Sequence, residues 1–350
     1  MKFPAAVAAT AGAAALAATR SRPRAQDDLT GEVAVVTGAS RGLGLVLATE
    51  LAGRGCRLLI CARDPAELDR AAARLRGTGA QVATLACDLA REETAPQVVA
   101  AAREHYGRLD ILISNAGIIR VGPVESTTPA DYEAAVAIMA LAPVRLALAA
   151  LPVMREQGHG RIVNITSIGG KISVPHLLPY NVAKFAAVGF SEGLRAELGR
   201  SPVAVTTVVP GLMRTGSHER AEFAGRREAE FTWFSLGASL PLISMDAERA
   251  ARQIVSGVAA RRPEIFLTPA GQVVSRLAQV APEVTTAVLH AAQNLLLPAP
   301  DGKSAARPGR ELRPAGPASV FAALTSLGRS AAARFNQRGR PRAPDGRTAA

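Results

Sequence analysis

Tyr180-Asn181-Val182-Ala183-Lys184 sets a phenol and an ammonium four residues apart. On a helix such a pair shares one face, with roughly 5–6 Å between Cβ atoms. Bringing a phenol from a pKa of ~10 to ~7 takes about 4 kcal/mol of preference for phenolate. An ammonium ~5 Å away supplies about 3 kcal/mol at an effective dielectric of ~20. The spacing therefore predicts an acidified tyrosine that exchanges a proton with a carbonyl or alcohol oxygen. Ser167 lies thirteen residues earlier, just after an apolar run at 161–165, where its hydroxyl can orient that oxygen.

Proton exchange at such a carbon needs a partner for the electron pair. Thr37-Gly38-Ala39-Ser40-Arg41-Gly42-Leu43-Gly44 follows an apolar run and opens a helical one. Glycines at this spacing permit a tight turn and close approach of backbone to a pyrophosphate, whose charge the helix N-terminus favours. The next strand ends Ile60-Cys61-Ala62-Arg63, without the acid that binds a ribose 2′-hydroxyl in NAD sites. Arg41 and Arg63 instead suit a 2′-phosphate, which favours NADP(H) over NAD(H). The plainer alternative is two solvated surface arginines, and Asp64 beside Arg63 leans that way.

The elements that must hold these residues alternate. Apolar runs at 33–36, 57–61, 81–86, 111–114, 161–165, 203–209 and 264–267 read as strands. Helical patterns at 43–52, 66–75, 96–106, 130–154, 180–198 and 247–259 separate them. Continuous apolar strands between helices predict an α/β fold: a doubly wound parallel seven-stranded sheet covered on both faces. The predicted catalytic domain is 31–268. Within it 211–245 breaks the alternation and reads as a substrate lid, where Trp233 and Phe234 either close an apolar pocket, the favoured role, or pack the lid onto the core. Helices are expected within 269–297, and 298–350 reads as a basic Pro/Gly/Arg-rich tail: a linker at 298–317, a weak helix at 321–335 and a solvated end.

The net charge of +12 sits mainly at the ends. Residues 303–350 carry about +8 and 1–30 about +2, which leaves about +2 for 31–302. A basic groove for nucleic acid is therefore not expected on the folded body. Cys56, Cys61 and Cys87 have no metal-ligand spacing and suit a reducing, cytoplasmic setting. No metal site is expected. Residues 3–19 form an uncharged run with basic flanks; they read as a leader or a membrane anchor, with a signal peptide the weaker reading. The basic tail could join them at an anionic lipid surface, or stay solvated.

The chain resembles the short-chain dehydrogenase/reductase family over about 31–268. The resemblance rests on Thr37-Gly38-x-x-x-Gly42-x-Gly44, Cys87-Asp88-Leu89, Asn115-Ala116-Gly117, Ser167, Tyr180-x-x-x-Lys184, and Pro210-Gly211 with Thr215. It implies that Asp88, beside Leu89, faces the adenine and that Asn115, Ala116 and Gly117 line the cofactor cleft. Pro210, Gly211 and Thr215 would hold the nicotinamide amide, and Tyr180 and Lys184 would contact the cofactor as well as act in catalysis. It implies carbonyl-reductase-like chemistry on a small substrate, which the lid suggests is apolar, and a homo-oligomer. A non-catalytic dinucleotide-binding sensor or scaffold is the rival reading. One departure stands out: Met139 occupies the place of the family's usual helical asparagine, whose carbonyl holds a proton-relaying water. Pro143, four residues on, has no N–H for the Met139 carbonyl, so the helix is expected to open there.

Overall fold

The computed structural model describes residues 28–241, 243–302 and 305–337. Seven parallel strands form the central sheet: β1 (Val33–Thr37), β2 (Arg57–Ala62), β3 (Val82–Ala86), β4 (Ile111–Ser114), β5 (Gly160–Ile165), β6 (Val203–Val209) and β7 (Glu264–Phe266). Their order is β3-β2-β1-β4-β5-β6-β7. Strands β1, β4 and β5 are buried along their whole length, which is why they read as unbroken apolar runs rather than alternating ones. The chain reverses its direction of winding between β1 and β4. In open sheets of this kind the crevice for ligands lies at the carboxyl ends of the strands at that reversal.

Helices α1 (Gly42–Gly53) and α2 (Pro65–Arg76) cover one face; α3 (Thr94–Tyr106) covers the other. The predicted helix 130–154 is not continuous. It runs as α4 (Pro129–Val136), a π turn at Ala137–Leu141, and α5 (Ala142–Glu156). The Ala142 N–H donates to the Ala137 carbonyl, five residues back. Pro143 supplies the cause, since it offers no N–H to the Met139 carbonyl in an α-helical register. Residues 129–156 are long and apolar enough to cross a membrane, but α5 packs on the sheet as a core helix.

Helix α6 (Leu178–Glu197) follows β5 and carries both Tyr180 and Lys184. The stretch 211–245 then crosses the carboxyl edge and includes α7 (Arg227–Ser239), before α8 (Ala247–Ala259) returns to pack against α1. Beyond β7 come α9 (Pro269–Val280) and α10 (Pro282–Leu296), then α11 (Ala318–Leu324) and α12 (Ser326–Arg334).

The described part of the expected tail is not a solvated extension. Arg307–Pro308 pairs antiparallel with Glu222–Phe223, which also pairs with Arg120–Val121. Phe321 stacks on Phe231 at 5.6 Å, joining Phe223 and Phe234. Small residues make this docking fit. A Cβ on Gly216 would lie 2.3 Å from the Ala332 Cα, and one on Gly309 2.0 Å from the His218 carbonyl. Gly216 also has φ +75, a backbone that side chains disfavour. Gly216→Ala should therefore destabilise the protein by about 1–3 kcal/mol. Limited proteolysis should then cut first within 318–337, and cleavage there at the parent rate would show that the glycine is not needed for docking.

Candidate active site

The carboxyl ends of β1, β4, β5 and β6 bring the sequence motifs together. Thr37 closes β1, and its hydroxyl donates to the Ile113 carbonyl (3.2 Å) while accepting from the N–H groups of Asn115 (2.9 Å) and Ala116 (3.2 Å). The Asn115 amide returns to the Thr37 (2.9 Å) and Gly38 (3.3 Å) carbonyls. This brace fixes the glycine turn against the segment after β4. A Cβ on Gly44 would sit 2.2 Å from the Gly38 carbonyl oxygen, so only glycine lets α1 start this close to β1. A Cβ on Gly38 (φ +63) would lie 2.8 Å from the Ala116 Cα.

Ser40 and Leu43 are buried in the turn. Arg41 is held by Glu67, whose carboxylate also takes Arg220 from the lid. Arg63 is exposed but near enough to act on Arg41, whose guanidinium burial and neighbouring cations hold below its usual range. Asp88 accepts from the Ala90 N–H (3.1 Å), and Leu89 is buried beneath it. Gly117 lies against Met139: a Cβ there would be 3.2 Å from the thioether sulfur. The Pro210 carbonyl accepts from the Ile168 N–H (2.8 Å), tying the loop after β6, with Gly211 and buried Thr215, to the loop after β5.

Ser167 opens that loop after β5. Its Oγ accepts from the Gly169 N–H at 3.0 Å and lies near enough to the Tyr180 hydroxyl to favour its phenolate. Gly169 and Gly170, which the sequence reading passed over, let this loop lie on α6. A Cβ at Gly170 would be 2.5 Å from the Lys184 carbonyl oxygen, and one at Gly169 3.1 Å from the Tyr180 ring. Paired glycines directly after a candidate serine were the available signal.

Lys184 lies with Nζ 5.7 Å from the centre of the Tyr180 ring and donates to the Ile165 carbonyl at 2.7 Å. Helical spacing thus delivers the expected proximity, but the electrostatics differ from expectation. Burial raises the Tyr180 phenol above its ordinary pKa, partly offset by the Ser167 hydroxyl. Burial also pushes the Lys184 ammonium down to about 8. Loss of water around both groups outweighs their mutual effect, because the charged form of each is the one that burial disfavours.

His176 packs in the loop that enters α6. It is buried at φ +62, with Nδ1 2.8 Å from Glu230, which also accepts the Trp233 indole N–H at 2.7 Å. The favoured pocket role is corrected for Phe234, which is buried against Phe223; Trp233 packs edge-on to Phe234 and also lines a cavity with Leu236 and Leu295. His159 is 2.6 Å from the buried Asp110. The thiols of Cys56, Cys61 and Cys87 are free, and the described residues hold no cluster fit for a metal ion.

The doubly wound sheet, the glycine turn at its reversal and a converging serine and tyrosine define a Rossmann-type oxidoreductase. A family profile described as short chain dehydrogenase matches residues 32–223, and the chain belongs to that family. It is 37% identical over 217 residues to a Streptomyces violaceoruber protein assigned as ketoacyl reductase 1 of the granaticin polyketide synthase, covering 61% of this chain and 75% of that protein. It is 29% identical over 270 residues to human (Homo sapiens) estradiol 17-beta-dehydrogenase 11, covering 76% and 85%. Among solved structures, a short-chain dehydrogenase/reductase from Burkholderia phymatum in complex with NAD superposes with a TM-score of 0.68 at 26% identity, covering 73% of this chain and 96% of that one. L-sorbose reductase from Gluconobacter frateurii, complexed with NADPH and L-sorbose, gives 0.61 at 26% identity, covering 69% and 96%.

The burial of Lys184 has a measurable sign. An unfolded lysine keeps its proton to ~10.4, whereas folded Lys184 releases it near pH 8. Between those values the unfolded chain binds more protons, so this group's contribution to stability rises with pH, and it is least favourable below about 8. Urea unfolding of the parent and Lys184→Met at pH 7.5 and 9.5 should show a gain with pH in the parent, at most roughly 1.4 kcal/mol per unit, that the variant lacks. Equal slopes would mean that Lys184 is not desolvated.

Proposed function

We propose that the protein transfers hydride between NADP(H) and a ketone, aldehyde or secondary alcohol on a small apolar molecule, with Tyr180 as acid and base. The observation that carries this reading is the convergence of Ser167, Tyr180 and a buried Lys184, its Nζ 5.7 Å from the centre of the Tyr180 ring, at the carboxyl edge of the sheet. Ser167 positions the substrate oxygen, and Tyr180 gives it a proton in reduction or takes one in oxidation. Burial leaves Tyr180 in its proton-donating form at neutral pH, as a weaker acid than a free tyrosine. Lys184 is cationic below about pH 8 and is placed to bond ribose hydroxyls.

The dinucleotide, when bound, supplies or accepts the hydride. The residues present fit it: Thr37, Gly38, Ser40, Gly42, Leu43 and Gly44 form a turn in which side chains at Gly38 and Gly44 would collide with backbone. Asp88, Leu89, Asn115, Ala116 and Gly117 would line the adenosine side, and Pro210, Gly211 and Thr215 the nicotinamide side. The solved relatives hold either NAD or NADPH, so the choice rests on this chain's own residues. Strand β2 ends at Ala62 without an acid, and Arg41, Arg63 and Arg220 outnumber Glu67 at the rim. The names of the ketoacyl reductase and the estradiol dehydrogenase support chemistry at a carbonyl or hydroxyl carbon. A homo-oligomer and a cytoplasmic setting are part of the same reading. Attachment to a membrane would rest on residues 3–19, which lie outside the described residues.

Tyr180→Phe should lower kcat about 10²–10⁴-fold on a carbonyl panel, read at the reduced-nicotinamide absorbance band, with NADPH affinity unchanged. Tight NADPH binding with no turnover by the parent on any panel member would instead favour a dinucleotide-binding sensor. Replacing Arg41 and Arg63 by alanine should raise KM for NADPH roughly 10–100-fold, the scale of one lost charge-assisted hydrogen bond, with KM for NADH little changed. Equal loss for both cofactors would remove the NADP assignment.

A further inference from the structure

The C-terminal segment ends in the glycine turn itself. The Gly42 N–H, at the start of α1, donates to the Phe335 carbonyl at 2.9 Å. The Asn336 amide donates to the Ser40 carbonyl (2.8 Å) and the Glu67 carbonyl (3.3 Å). The Gln337 amide donates to the Thr215 carbonyl (3.2 Å), spanning from the turn to the loop after β6. Its Nε2 lies 2.8 Å from where a Cβ on Gly42 would be. Phe335 and Gln337 are both buried. Asn336 has φ +58, a left-handed conformation that asparagine tolerates better than most residues. Outside the turn, Arg220 donates to the Gln337 carbonyl (2.8 Å) and Arg334 pairs with Glu248 (2.5 Å).

Resting on the reading of this turn as a dinucleotide site, we propose that Phe335–Gln337 is an intramolecular occupant of it and competes with the pyrophosphate of the cofactor. The Phe335 carbonyl takes the α1 amide that an anion would otherwise take, and the Gln337 side chain fills the space above Gly42 that its lack of a Cβ provides. Cofactor and segment cannot both use the Gly42 N–H and that space. The cofactor-competent state is the one with the segment displaced, and apparent affinity is reduced by the fraction of molecules in that state. The charged partners allow exchange: Arg41 and Arg220, now on Glu67, are placed to turn to phosphate.

The test compares the full chain, Asn336→Pro, and a chain ending at Thr325. Proline cannot adopt φ +58, so it displaces the segment while leaving α11 and α12 in place. NADPH should bind both variants about tenfold or more tightly than the parent, as for a segment closed in nine of ten molecules. In the parent, NADPH should slow amide exchange at 38–44 and speed it at 326–337. Unchanged or weaker affinity in Asn336→Pro, or slower exchange at 326–337, would overturn the proposal; with protection at 38–44 it would leave the cofactor reading standing. No binding of NADPH, NADP, NADH or NAD to any of the three chains would remove that reading and the competition with it.

Discussion

The site depends on how much water is excluded around the first two turns of α6. Lys184 is buried and Tyr180 half-buried, and one unit of pKa corresponds to about 1.4 kcal/mol. Desolvation drives both groups toward neutrality, so the pair is not a phenolate held by an ammonium. It is a neutral phenol, near Ser167, beside an amine that keeps its proton only below about pH 8 and spends one hydrogen bond on the Ile165 carbonyl. A phenol whose pKa is raised is a weaker acid than a free tyrosine, so proton exchange depends on what else favours its phenolate. In so dry a cleft, any further positive charge acts with little screening and has large leverage over it.

Backbone packing supplies that dryness. The Ser167 loop lies against α6 only because residues 169 and 170 lack side chains, and the Ile168 N–H locks the same loop to Pro210. On the other side of the winding reversal, Thr37 and Asn115 exchange hydrogen bonds that leave the glycine turn little freedom. The two halves of the sheet therefore present rigid rims across the crevice. Above it lie α7, pinned through Glu230 to the loop that enters α6, and the C-terminal segment.

Most of the frame was legible in the sequence. The central strands are buried on both faces, and burial of that kind leaves unbroken apolar runs that mark each of them within a residue or two. Pro143 was legible as well, because a missing N–H has a local consequence that no packing can reverse. What escaped was set by tertiary packing. A spacing of four residues gives distance but not solvent exposure, so the sign of the Tyr180 shift could not be read from it. The docking of 305–337 escaped because it rests on Gly216, Gly309, Gly328, Ala331 and Ala332. Close approach of small residues leaves no hydrophobic periodicity, and the surrounding arginines and prolines carry the composition of a solvated tail. Phe234 misled for the opposite reason: an aromatic residue in that stretch suggests a pocket, yet its ring packs on Phe223 and Trp233.

The first turn of any helix carries amide donors with no partner inside the helix, and leaving one buried and unpaired is costly. At a site that waits for an anion, that cost falls on the empty state unless something else accepts. Here the Phe335 carbonyl accepts from Gly42, and side chains of the next two residues bind carbonyls on either side. The chain itself thereby satisfies the turn. The arrangement is self-consistent because a peptide carbonyl carries only a partial charge. It can satisfy the amide but cannot match a phosphate for the helix N-terminus and the nearby guanidinium groups, so a stronger anion can replace it.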